Sequence, residues 1–183
     1  LVAFMRSRSA DRIYESRSTD YGRTWSQVVR TALPNNNASI QAVKLAGGSI
    51  ALAFNYLQLS DNPETTIWSN ERYPLTIALS DDGGKTWQEN IKVLDLNMAD
   101  FRDPKVFRYE NKWIMTVVKS KEFKVSFFES TDLINWNFLS DYTAPDIKDL
   151  YECPDLFELD GKWVLIISTN PGGLYGGSGT RYL

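Results

Sequence analysis

Two short strings carry the side chains best suited to chemistry, "FRDPK" at 101–105 and "YECPD" at 151–155. They belong to a longer repeat. "FRDPKVFRYENKWIM" and "YECPDLFELDGKWVL" match at an offset of fifty through Pro104/Pro154, Phe107/Phe157, Lys112/Lys162 and Trp113/Trp163. Asp103 and Glu152 fall at almost equivalent points of that repeat. A fold that sets repeats around an axis would turn both carboxyl groups inward at the start of their units. Two carboxylates meeting there raise the pKa of one, as a general acid needs, while a neighbouring Arg such as Arg102 lowers that of its partner. Read singly, each is a solvated carboxylate at a strand start; read together, they point to a site.

Composition narrows the chemistry. There is no His in 183 residues, which excludes Ser-His-Asp and Cys-His catalysis and any His-ligated metal. Cys153 is the only thiol, so the chain has no internal disulfide and no Cys cluster for zinc. A carboxyl pair needs neither metal nor cofactor, and none is expected. A net charge of −3 argues against a nucleic-acid partner. Apolar runs such as "VLII" and "IALAF" are too short to span a bilayer, so no membrane partner is expected. "LVAFM" lacks the charged flank and length of a signal peptide. The chain starts without Met and inside a strand-like run, so it reads as a processed or cut piece, and nothing in it fixes a compartment.

The elements that must position these groups are strands. Runs of four to eight residues such as "LVAFMR", "RIYES", "SIALAFNY", "PLTIALS", "KWIMTVV" and "KWVLIIS" are rich in β-branched and aromatic residues and bounded by Gly, Pro, Asn or Asp. No window of helical length shows a 3.6 period. A polar turn closed by Trp also repeats, as "STDYGRTW" at 18–25, "SDDGGKTW" at 80–87 and the shortened "STDLINW" at 130–136. Its Asp can accept backbone N–H bonds, and its Gly permits positive φ. The turn is a clasp between two strands, and a clasp present in every unit cannot converge on one site. A period of 50–62 residues with about four strands per unit predicts an all-β chain, a β-propeller of four-stranded blades. A β-sandwich would not repeat its turn sequence. Trp25, Trp87 and Trp136 are expected to be largely buried.

The two better turns resemble the Asp boxes of sialidases. "LPNNNASIQAVKLAGGSIALAFNY" and "RYPLTIALSDDGGKTW" extend that resemblance to the sialidase-like (BNR) propellers over residues 1–95. Over 96–183, "FRDPKVF", "YECPDLFEL" and "NPGGLYGGSGTRYL" resemble glycoside hydrolase family 32, the invertases, levanases and inulinases. The resemblance implies Glu152 as general acid/base, Asp103 as transition-state stabiliser and Arg102 as a sugar contact or tuner of the acid. It also implies a missing part. The nucleophile of that family is an Asp in an early "NDPNG"-type motif, and the nearest string here, "LPNNNAS", has no carboxylate. On the sialidase side, Arg6 and Arg72 match remnants of an Arg cluster, with inter-blade ion pairs as the competing reading, and Tyr56 holds an inner-blade position. Two halves joined in this way resemble a chimera of propeller fragments, engineered or reconstructed, more than a divergent natural glycosidase.

Trp68, Tyr73 and Tyr175 fall in loops, where they could stack on sugar or simply pack. "PGGLYGGSG" at 171–179 has no Lys and no following helix, which speaks against a phosphate loop. "KSKEFK" at 119–124 reads as a solvated hairpin end. Two functions stay open, a glycosidase acting on fructosides or related sugars, and a catalytically silent propeller with residual affinity for carbohydrate. About fourteen strands, some 3.5–4 blades per chain, give two full blades flanked by partial ones. Open edges of that kind predict self-association through residues 1–8 and 176–183.

Overall fold

The computed structural model describes every residue except 70, 89, 90 and 174. The described residues form fourteen strands and one short 3-10 turn, Ser120–Glu122. The first sheet holds β1 (Val2–Met5), β2 (Arg12–Arg17) and β3 (Val29–Pro34) in that order. The second runs β4 (Gln41–Lys44), β5 (Ile50–Asn55), β6 (Leu75–Ser80) and β7 (Ile91–Leu94). The third is β8 (Phe101–Tyr109), β9 (Lys112–Lys119), β10 (Lys124–Ser130) and β11 (Asn137–Tyr142). The fourth is β12 (Leu150–Leu159), β13 (Lys162–Asn170) and β14 (Gly179–Tyr182). Each sheet is an antiparallel meander, and the strand count is the one expected from the sequence.

Successive sheets pack face to face, as propeller blades do. Ile13 and Leu33 of the first sheet meet Leu52, Phe54 and Ala78 of the second. Ala51, Ala53, Leu75 and Ile77 then meet Phe101, Met115, Val117 and Phe128 of the third. Val118 and Val125 meet Tyr151, Leu165 and Ile167 of the fourth. A strand flanked by sheets on both sides should lose the usual apolar/polar alternation. β5, with the pattern IALAFN, is buried from its second residue to its last. β11, at the outer edge of its sheet, is exposed over five of its six residues.

The three Trp-closed turns join β2 to β3, β6 to β7 and β10 to β11, each a clasp between two strands as expected. In the second, Asp82 accepts from the N–H groups of Lys85 and Thr86 and from the Thr86 hydroxyl, while Ser80 Oγ accepts from Gly84 N–H. The shortened copy keeps the geometry without Gly. Leu133 adopts φ 67° there, donates its N–H to Ser130 Oγ and turns its side chain into the core.

One expectation fails. Trp25 is 45% exposed, whereas Trp87 and Trp136 are half-buried and pack on apolar clusters. The reason is positional. Trp87 packs against the first sheet through Phe4, and Trp136 joins the cluster shared with the second sheet. Each closing Trp thus covers the preceding sheet, and among the described residues no sheet precedes Trp25.

The turns also make a prediction about acid. Donors from Thr24 and Ser18 hold the Asp20 carboxyl down at about 2. Backbone and side-chain donors from Thr86 and from Asn135 hold Asp82 and Asp132 lower still. At Asp11, burial pushes up, but hydrogen bonds from Ser7, Ser9 and Tyr14 prevail and bring it to about 2. Groups depressed in the folded state stabilise it above the unfolded carboxylate pKa of about 4 and lose that contribution as pH falls through the folded values. The urea midpoint should therefore fall steadily between about pH 5 and pH 2, and less steeply in Asp82→Asn. A midpoint flat across that window would contradict the assignment.

Candidate active site

β8 and β12 open with the same device. Register shifts interrupt both pairings, between Arg102 and Lys105 and between Glu152 and Asp155. Asp103 and Cys153, each followed by Pro, take φ of 59° and 47°. Such bulges bend a strand and re-aim its side chains. Here they turn Arg102, Asp103, Glu152 and Cys153 toward one cavity of about 420 Å³, which Arg6, Arg72 and Asp100 also line. Of the six residues matched by resemblance to a catalytic or binding position, five therefore line one cavity, and Tyr56 does not.

Arg102 is the hub. Its guanidinium lies 3.0 Å from Glu152, 3.3 Å from Asp103 and 3.5 Å from Asp100, and donates to Ser120 Oγ. Asp103 is nearly sealed. One oxygen accepts from Ser39 N–H at 3.0 Å and the other from Cys153 N–H at 3.1 Å. One guanidinium thus pairs with both carboxylates, Asp103 and Glu152. The Cys153 thiol is pushed up to about 11, first by desolvation and then by the negative charges of Asp103 and Glu152. Arg72 is buried, and its Nη1 has no partner among the described residues. Desolvation, followed by repulsion from Arg102, lowers its pKa. Arg6 donates to the Asn37 carbonyl at 3.0 Å.

Several residues that build this site were not singled out from the sequence. Asn35, Asn36 and Asn37 are all buried. The Asn36 and Asn37 amides donate to the carbonyls of Glu71 and Ile67, which ties those two residues to the site. Asn55 donates to the carbonyls of Arg72 and Phe101. Their signal was a run of three Asn after a Pro, which reads equally well as a surface loop. The "KSKEFK" segment is more than a solvated end, since Ser120 holds Arg102 and Lys121 pairs with Asp100 at 3.1 Å.

Tyr56 is not in the cavity. It is 43% exposed and lines a separate groove between the first and second sheets. Its position just past β5 sends it along the same sheet face as Phe54, and the two rings lie 6.0 Å apart. Trp68 lines the cavity with 70% of its surface exposed. Tyr73 and Tyr175 do not line it, and Tyr175 is 98% exposed. The Gly-rich stretch, described apart from residue 174, leads into β14 and not into a helix.

Comparison with known proteins fits this geometry. The BNR repeat-like domain family matches residues 1–123. The chain belongs to that family. Its relatives include an invertase of Debaryomyces hansenii, 45% identical over 116 residues that make up 58% of this chain and 22% of the relative. A levanase of Bacillus subtilis is 34% identical over 139 residues, 67% of this chain and 20% of the relative. This BNR-family chain thus spans about a fifth of the length of those relatives. A fructofuranosidase of Schwanniomyces occidentalis, solved with fructose, superposes with a TM-score of 0.68 at 26% identity, over 99% of this chain and 40% of the other. A Bombyx mori family 32 β-fructofuranosidase gives 0.70 at 25% identity, over 99% and 42%. The fold is that of the β-propeller fructosidases, and the descent is from glycoside hydrolases.

Proposed function

We propose that this chain is a catalytically incomplete glycoside hydrolase propeller that retains weak affinity for sugar in its axial cavity. In this reading Glu152 holds the acid/base position, Asp103 the transition-state-stabilising position, and Arg102 orients both. Residues 1–95 are sialidase-like blades and 96–183 fructosidase-like ones, each bringing part of a site.

The observation that carries the proposal is the accessibility of the carboxylates. Glycoside hydrolysis by the common route requires two carboxyl groups that both reach the sugar. Among the described residues, three carboxylates line the cavity. The Asp103 side chain is 1% exposed and that of Asp100 6%, while Glu152 is 25% exposed. Asp103 spends its oxygens on two backbone N–H groups and Arg102. Asp100 is held by Arg102 and Lys121. Only Glu152 can meet a ligand, and one carboxyl group cannot serve as both nucleophile and acid.

The chain should therefore not hydrolyse sucrose, inulin, levan or a sialoside at rates approaching about 1 s⁻¹, the low end of ordinary enzymes. Fructose titration should still perturb Trp68 at the cavity mouth. The competing reading, an active retaining glycosidase, rests on the 99% overlap with fructosidase structures. Turnover that vanishes in Glu152→Gln would establish that reading and overturn this one.

A further inference from the structure

The three Trp-closed turns differ in one respect that the clasp does not explain. The Trp25 indole N–H donates to Gly22 O at 3.1 Å, and that of Trp136 to Leu133 O at 3.0 Å. In both, the indole closes on the carbonyl three residues back. The Trp87 indole does not. Its Nε1 is buried and has no partner among the described residues. The cause lies in the neighbouring sheet. Trp87 packs edge-on against Phe4, with ring centroids 5.5 Å apart and planes at 66°, so the indole serves the inter-sheet contact in place of its own turn.

A buried donor without an acceptor costs free energy until something supplies one. The same residue lines a groove of about 430 Å³ between the first and second sheets. Tyr56 presents a 43% exposed ring there, Leu33 forms part of the apolar floor, and Lys85, Thr86 and Gln88 supply polar groups at the rim. None of these residues lines the axial cavity.

We propose that this groove is a second binding site, and that its ligand is a neutral sugar ring. A sugar presents a C–H face that lies on an aromatic ring and hydroxyl oxygens that accept from N–H donors. Tyr56 supplies the ring, and Trp87 and Lys85 supply the donors. Trp87 lines the groove and its Nε1 is unpartnered among the described residues, so a ligand hydroxyl that reaches it would supply the missing acceptor. The site is independent of the axial carboxylates and needs no catalysis.

The test is a titration of the ¹⁵N-labelled chain with glucose, galactose, fructose and sucrose, each to about 100 mM, enough to fill a millimolar site. The Trp87 indole resonance is assigned by its loss in Trp87→Phe, and that of Trp68 by its loss in Trp68→Phe. At least one sugar should move the Trp87 resonance saturably, and Tyr56→Ala should weaken that response at least about tenfold. If no sugar moves the Trp87 resonance, or if Tyr56→Ala leaves the curve unchanged, the groove is not a sugar site. If the sugar moves Trp68 and leaves Trp87 still, binding belongs to the axial cavity and the proposal falls. Should Trp87→Phe fail to fold, the Trp87 indole resonance is assigned through its own backbone resonances, and Tyr56→Ala is read against it.

Discussion

Replacing Arg102 with Met should destabilise the fold by about 3–5 kcal/mol, the range found when one partner of a buried ion pair is removed. The side chain is 9% exposed and lies within 3.5 Å of three carboxylates. Asp100 would keep Lys121, and Glu152 is open enough to turn toward water. Asp103 has neither outlet. It would keep its two backbone donors but sit as an uncompensated charge in a nearly dry site. Urea unfolding at neutral pH measures the loss. Adding Asp103→Asn to Arg102→Met should recover part of it, because the two side chains are coupled. A loss under about 1 kcal/mol would mean that the carboxylates are solvated and that Arg102 is not the hub.

That hub marks the boundary between what was legible in the sequence and what was not. The strands, their grouping and the clasping turns follow from local pattern. Alternation, turn residues and a repeat of fifty are all written within a few tens of residues. Asp103 and Glu152 were legible for the same reason, since adjacent points of successive repeats open on one cavity. The contacts that complete the site are different in kind. Ser39 N–H reaches Asp103 across 64 positions, and the Asn55 amide reaches Phe101 O across 46. No local pattern encodes such pairings. The Asn35–Asn37 run looks like a surface loop because Asn is usually exposed. It is buried because its amides find carbonyls on a loop some thirty positions away. Tyr56 was misplaced by a related limit. The strand before it, β5, is legible from local pattern, but which inter-sheet space the Tyr56 ring enters depends on the neighbouring sheet.

The same dependence on the neighbouring sheet predicts that two glycines in equivalent turns will respond differently to substitution. Gly22 and Gly84 have nearly identical φ, 86° and 87°, and both donate their N–H to the first Ser of the turn. An added methyl at Gly22 would meet nothing closer than Leu1 Cδ1 at 3.5 Å, an ordinary contact. Gly22→Ala should thus cost only the left-handed backbone penalty, about 1–2 kcal/mol. At Gly84 the methyl would lie 2.5 Å from Phe4 Cζ. Phe4 cannot step aside freely, because its ring is packed edge-on against Trp87 and joins the cluster between the first two sheets. Overpacking of that kind adds about 1–3 kcal/mol, so Gly84→Ala should cost about 2–5 kcal/mol in all. Phe4→Leu shortens the ring that obstructs the methyl. In that background the added cost of Gly84→Ala should fall toward the value at Gly22, which a double-mutant cycle in urea would measure. If Gly22→Ala proves as damaging as Gly84→Ala, then the backbone alone sets the cost and the first two sheets are not locked together at Phe4 and Trp87.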